Sequence, residues 1–172
     1  DAVTLFLVVP ALLISLPFLR MGSLRARLFV LGVLAYFTYQ YFEYAMALAY
    51  GPMFLVYVGI GALSVTGIAL LAGGLDLKAI EARVSDRFPR RAMTGFGIFM
   101  AVLLTGMWLP LIAQTWDTTS VPQLNGGTTL VVQAFDLGFL VPLGLLTAVT
   151  VKRGLAVGVV LSAIVVVKGM AM

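Results

Sequence analysis

Six apolar stretches, joined by short polar connections, make up most of this sequence. They lie at roughly 2–19, 28–50, 52–74, 93–114, 129–150 and 155–172. A membrane-spanning helix needs about 20 mostly apolar residues, and these runs reach that length without the alternation typical of a barrel strand. We therefore predict an all-α, polytopic transmembrane helical bundle with six spans, which forms a single domain over residues 1–172.

The composition excludes several classes of protein. The chain is 62% apolar and only 10% charged, whereas a soluble domain is about a quarter charged. It contains no cysteine and no histidine, which excludes disulfides, thiolate or histidine metal sites and a Ser-His-Asp triad. We therefore expect no metal and no cofactor, and we regard an enzyme as the less favoured class.

The placement of the basic residues predicts the orientation. Ten of the eleven lysines and arginines fall in the alternate connections 20–27, 75–92 and 151–154. This positive-inside pattern makes these loops cytoplasmic, places the N-terminus of the chain outside and predicts a multi-pass protein of the plasma (inner) membrane. It also argues against nucleic acid as the partner behind the net charge of +4. A more specific alternative is that the basic patches bind anionic lipids.

Apolar residues recur at helical spacing within the longest basic connection. Leu77, Ile80, Val84 and Phe88 are three or four residues apart. This pattern predicts an amphipathic cytoplasmic helix over about 76–88. It would rest on the bilayer as a connector or dock a cytoplasmic partner.

Three charged residues remain inside the predicted spans: Glu43, Asp136 and Lys168. Each costs about 3 kcal/mol in hydrocarbon, and such residues usually face the bundle interior and pair with one another. At 1.5 Å per residue, Glu43 and Asp136 lie about 10 Å below the outer ends of their spans. Lys168 lies about 20 Å from the inner edge, which leaves about 10 Å of a hydrocarbon core about 30 Å thick. Because three helices place their buried charges at one depth, we predict a single cluster in the outer half of the bundle.

Polar and aromatic neighbours extend this cluster. Helical spacing puts Tyr36, Gln40 and Glu43 on one face, Tyr39 and Tyr44 beside it, and Gln133 with Asp136 on another. The candidate ligand-binding or buried-charge cluster is Glu43, Asp136, Lys168, Gln40, Gln133, Tyr36, Tyr39 and Tyr44. In one interpretation Lys168 neutralises the carboxylates and holds three helices together. In the other, an outward-facing pocket holds a small polar or cationic ligand or relays protons.

Four short segments resemble a known family. They are Tyr41-Phe42-Glu43-Tyr44, Pro52-Met53-Phe54-Leu55-Val56-Tyr57, Val132-Gln133-Ala134-Phe135-Asp136-Leu137-Gly138 and Val167-Lys168-Gly169. Together they are similar to an uncharacterised family of small bacterial polytopic membrane proteins. The resemblance covers most of the chain and implies a helical membrane fold with Glu43, Asp136 and Lys168 as a shared pattern, but it implies no activity.

The chain starts at Asp1 rather than methionine. We expect either that a signal peptide was removed or that another spanning helix precedes it, which would give a seven-helix parent protein. Lys168 would then lie in a seventh helix, and the chain would resemble the heliorhodopsins, which implies a retinal lysine with Glu43 in the counterion region. The short last span, the outer position of Lys168 and the absence of histidine depart from that family.

Three classes of function follow. The favoured one is small-molecule binding or transport at the outward-facing polar cluster, with the lipid bilayer and a small polar or cationic ligand as partners. The alternative is an accessory or structural subunit of a larger membrane complex, with a membrane protein as partner. The third is an intramembrane enzyme that uses Glu43 and Asp136 as general base and acid, or a retinal-binding protein.

Overall fold

The computed structural model describes residues 2–84, 88–116 and 129–171, and all regular secondary structure within these ranges is helical. We number the helices α1 Thr4–Arg20, α2 Leu24–Ala47, α3 Phe54–Gly73, α4 Leu77–Arg83, α5 Arg90–Ala113, α6 Val131–Lys152 and α7 Ala156–Ala171. The predicted all-α class is therefore confirmed.

Three helices, α3, α5 and α6, are long and apolar enough to cross a membrane. The chain is thus consistent with a membrane protein, whereas the six predicted spans are not confirmed as a set. Helices α1 and α7 are apolar but shorter. Helix α2 has 24 residues but carries a run of tyrosines with Gln40 and Glu43. The hydropathy of α2 is lower than that of α3, α5 and α6 because α2 lies inside the bundle.

Helix α2 occupies the centre of the bundle and contacts α1, α3, α6 and α7. Its buried side chains include Leu31, Val33 and Tyr36, each only 1% exposed. Because α2 is surrounded by protein, its side chains pack against other side chains instead of lipid. They can therefore be polar. Helix α6 in turn packs between α5 and α7. Residues 36–43 of α2 contact α1 through Thr4, α6 through Asp136 and α7 through Lys168.

Glycines allow two helix pairs to approach closely. At the crossing of α5 and α6, a Cβ atom at Gly144 would lie 2.7 Å from the carbonyl oxygen of Gly97. At the crossing of α2 and α7, a Cβ atom at Gly32 would lie 2.7 Å from Cγ2 of Val167. These contacts bring the backbones together and fix the height of Lys168, the next residue in α7, against α2.

Two helices contain a π-helical turn, at Thr4–Val8 in α1 and at Asp136–Leu140 in α6. Each turn ends two residues before a proline, Pro10 or Pro142. Proline lacks a backbone N–H and its ring crowds the preceding turn, and the wider π turn accommodates both effects. The first residues of the two turns, Thr4 and Asp136, are both buried polar residues.

The basic connections meet at one end of the bundle. Arg27 donates a hydrogen bond from Nη1 to the carbonyl oxygen of Gly74, at 2.6 Å. The amphipathic helix predicted over 76–88 corresponds in the described part to α4, which begins after its cap residue Asp76 and ends at Arg83. Residues 85–87 lie outside the described residues. The α4 residue Ile80 is 2% exposed and packs against α2 and α7.

Candidate functional site

The structure brings the helices of Glu43, Asp136 and Lys168 together, since α2, α6 and α7 contact one another. Asp136 is 1% exposed and Lys168 is 3% exposed. Glu43 lies one turn beyond Tyr39 on α2 and is half-buried. Two of the three charged side chains are thus fully enclosed by protein, and the third lies towards the end of α2.

Asp136 accepts hydrogen bonds through both carboxylate oxygens. The hydroxyl of Tyr39 donates to Oδ1 at 2.5 Å, and Nε1 of Trp108 donates to Oδ2 at 2.8 Å. An ionised carboxylate can only accept, and hydrogen bonds to it are about twice as strong as neutral ones. Because the donors come from α2 and α5, this carboxylate connects three helices.

Lys168 lies over aromatic rings rather than against a carboxylate. Its Nζ atom is 3.6 Å from the centroid of the Tyr39 ring and 5.4 Å from that of Tyr36. Among the described residues, Nζ has no hydrogen-bond partner. Glu43 and Asp136 interact with it electrostatically at longer range. The ammonium is therefore held by a cation–π contact, which compensates only part of its lost hydration.

Tyr39 links the two buried charges. One face of its ring meets Lys168, and its hydroxyl donates to Asp136. Donation to a carboxylate polarises the phenol and increases the negative charge of the ring, which strengthens its attraction for the ammonium. Lys168, Tyr39, Asp136 and Trp108 thus form one connected unit, which we call the Lys168 cluster.

Tyr36 extends this unit towards α1. Its hydroxyl is 2.7 Å from Oγ1 of Thr4, in a buried contact where either group can donate. Thr4 is the first residue of the π turn in α1. Tyr36 is 1% exposed, so this hydrogen bond satisfies a hydroxyl that has no access to solvent.

The remaining predicted residues lie around the Lys168 cluster. Gln40 and Gln133 are half-buried, and among the described residues neither amide contributes a hydrogen bond to it. The Tyr44 ring centroid lies 6.1 Å from that of Tyr41 and 5.6 Å from that of Tyr57. Ring contacts continue from Tyr41 through Phe37 to Tyr36. Tyr44 and Tyr57 also line a cavity of about 130 Å³ at the turn between α2 and α3.

Sequence reasoning missed Trp108 and Thr4. Tryptophan in a span is usually an interfacial or packing residue, so the sequence did not single out Trp108. The conversion of sequence distance into depth, as used for Asp136, could have identified Trp108. It lies six residues before Gln114, which is about 9 Å along the helix. That is close to the depth of Asp136. Thr4 carried no such signal, since threonine in a membrane helix usually bonds to its own backbone.

No family model, no curated protein and no solved structure matches this chain. The resemblances to small bacterial membrane proteins and to heliorhodopsins therefore remain predictions. Within residues 2–84, 88–116 and 129–171, no three His, Cys, Asp or Glu side chains lie close enough to hold a metal ion. The chemistry available in the Lys168 cluster is that of one amine, one carboxylate, and phenol and indole donors.

Proposed function

We propose that this chain is an integral membrane protein of the plasma membrane that binds, and carries, a small polar molecule at the Lys168 cluster. Six spans cross the bilayer in this proposal, and the basic loops lie on the cytoplasmic side. The observation that carries it is the Nζ atom of Lys168, which is buried without a hydrogen-bond partner among the described residues.

An ammonium group has three N–H donors and no acceptor. Leaving such donors unpaired in a buried site costs several kcal/mol unless something accepts from them. The adjacent carboxylate already accepts from Tyr39 and Trp108. A ligand with an acceptor oxygen would satisfy the lysine, and the rings of Tyr36 and Tyr39 would pack against its apolar part.

The side chains between the cluster and the outer end of α2 support access from outside. Glu43 is half-buried beyond Tyr39, and the cavity lined by Tyr44 and Tyr57 lies at the outer turn. A ligand with both an acceptor and a cationic group would meet Lys168 with the first and Glu43 with the second. This pairing favours a zwitterionic or amino-bearing polar molecule over a simple cation.

A structural role is the second candidate, and a specific observation favours it. The hydrogen bonds of Asp136 connect α2, α5 and α6, so the cluster could serve mainly to fix helix positions in a subunit of a larger complex. This role predicts a stoichiometric protein partner and no bound small molecule.

Native mass spectrometry on gently extracted protein tests the proposal, with Lys168→Met as the variant and Lys152→Met as its matched control. Lys152 is exposed at the end of α6, so its replacement removes the same charge without touching the cluster. We expect a small bound mass in the wild type and in Lys152→Met, and at least a tenfold lower occupancy in Lys168→Met. Melting curves check that all three proteins are folded.

Two outcomes would overturn the proposal. One is a folded wild-type protein that carries no small molecule in any of several detergents. The other is equal occupancy in Lys168→Met and wild type. A stoichiometric protein partner in place of the small molecule would support the structural role instead.

A further inference from the structure

The basic end of the bundle contains a cavity of about 840 Å³. It lies between the start of α2, the helix α4 and the α7 residue Val159. Ligand pockets typically measure about 300–1,000 Å³, so the volume suits a whole headgroup with adjoining apolar segments rather than a single small ion.

Two arginines give this cavity its charge. Arg25 comes from the first turn of α2 and Arg83 from the last residue of α4. Among the described residues, neither guanidinium has a hydrogen-bond or ion-pair partner. By contrast, the neighbouring Arg27 donates to Gly74. The α4 residue Glu81 lines a different, smaller cavity beside Arg90, so the described lining of the large cavity contains no acidic residue.

The rest of the lining combines donors with apolar surface. Ser23, Leu24 and Arg25 form the start of α2, whose first backbone N–H groups and positive dipole end favour a negative group. Six apolar side chains line the cavity: Leu24, Leu28, Ile80, Val84, Phe88 and Val159. The cavity is therefore positively charged at one side and apolar at the other.

We propose that this cavity binds an anionic phospholipid, with the phosphate between Arg25 and Arg83 and an acyl chain against Leu28 and Val159. Guanidinium groups bind phosphate through charge-assisted, bidentate hydrogen bonds, and basic pockets between membrane helices take up acidic headgroups. Burial of part of an acyl chain against these apolar side chains adds to the binding. The site is independent of the Lys168 cluster, because it lies at the opposite end of α2.

The test compares phosphatidylglycerol with phosphatidylcholine that carries the same acyl chains. Each lipid is added to delipidated protein, and native mass spectrometry counts the bound lipid molecules. We expect one phosphatidylglycerol to bind about thirtyfold more tightly than phosphatidylcholine, because each of the two arginines contributes about 1 kcal/mol near an anionic lipid. The double variant Arg25→Gln/Arg83→Gln should lose this preference. The matched control is Arg20→Gln, because Arg20 is an exposed arginine of the same connection that does not line the cavity.

A second variant tests the apolar side without changing the charge. Val159→Trp should fill the floor of the cavity and lower phosphatidylglycerol binding severalfold, while the melting temperature shows that the protein is folded. The proposal is wrong if Arg20→Gln weakens the preference for phosphatidylglycerol as much as the double variant does. That result would indicate that the overall positive charge of the surface attracts the lipid and that the cavity does not bind it. It is also wrong if the double variant keeps the preference, or if Val159→Trp is folded and binds the lipid as tightly as the wild type.

Discussion

Replacing Asp136 by alanine should lower the free energy of unfolding by about 3–5 kcal/mol, the largest effect expected for a single side chain here. The change leaves the hydroxyl of Tyr39 and the N–H of Trp108 buried without their acceptor, and each such donor costs about 1–3 kcal/mol. It also removes a carboxylate that stabilises the buried Lys168, which adds to the loss. Denaturation in mixed detergent micelles measures the difference.

Two controls separate the causes of this loss. Asp136→Asn removes the charge but retains an oxygen for Trp108 and an amide that can donate to Tyr39, so we expect a smaller loss of about 1–2 kcal/mol. Glu81→Ala removes an exposed carboxylate of α4 and should change stability by less than about 0.5 kcal/mol. If Asp136→Ala were no less stable than Glu81→Ala, the hydrogen bonds of Asp136 would not hold in the folded protein.

Replacing Gly97 by alanine should cost about 3 kcal/mol, although alanine is the better helix former. The added methyl group would overlap the carbonyl oxygen of Gly144, and a backbone atom cannot turn aside as a side chain can. Helices α5 and α6 would have to move apart, which loses packing over the whole crossing. The same movement would pull Trp108 on α5 away from Asp136 on α6.

Gly95 provides the matched control on the same helix. It is exposed, and a Cβ atom there meets nothing within 4 Å. Gly95→Ala should therefore leave stability unchanged or raise it by up to about 1 kcal/mol, because alanine loses less backbone entropy than glycine. If Gly97→Ala and Gly95→Ala had equal melting temperatures, the backbones of α5 and α6 would not approach each other closely at Gly97 and Gly144.

Helix rise made part of the site predictable from the sequence. A fixed 1.5 Å per residue converts sequence distance into depth, which is why Glu43, Asp136 and Lys168 could be expected at one level. The structure then places their three helices in contact. The depth argument gives no lateral position, however, so it could not show that Lys168 would lie over Tyr39 instead of against a carboxylate.

The central position of α2 also escaped prediction, for a physical reason. Hydropathy measures how well a helix suits lipid, and a helix enclosed by other helices need not suit it. The sequence therefore predicted α2 as one span among six, whereas its tyrosines supply the rings of the site. The π turn that begins at Asp136 was equally hidden, because Pro142 indicates a perturbed helix without saying which hydrogen bonds change.

A double-mutant cycle between Lys168→Met and Asp136→Asn tests most directly whether the two buried charges belong to one cluster. The unfolding free energies of the wild type, the two single variants and the double variant give the coupling between the side chains. We predict a favourable coupling of about 1–3 kcal/mol, because Tyr39 connects the two side chains and opposite charges attract more strongly where water is excluded. Additive effects, within about 0.5 kcal/mol, would contradict a connected Lys168 cluster and leave Lys168 and Asp136 as independent buried residues.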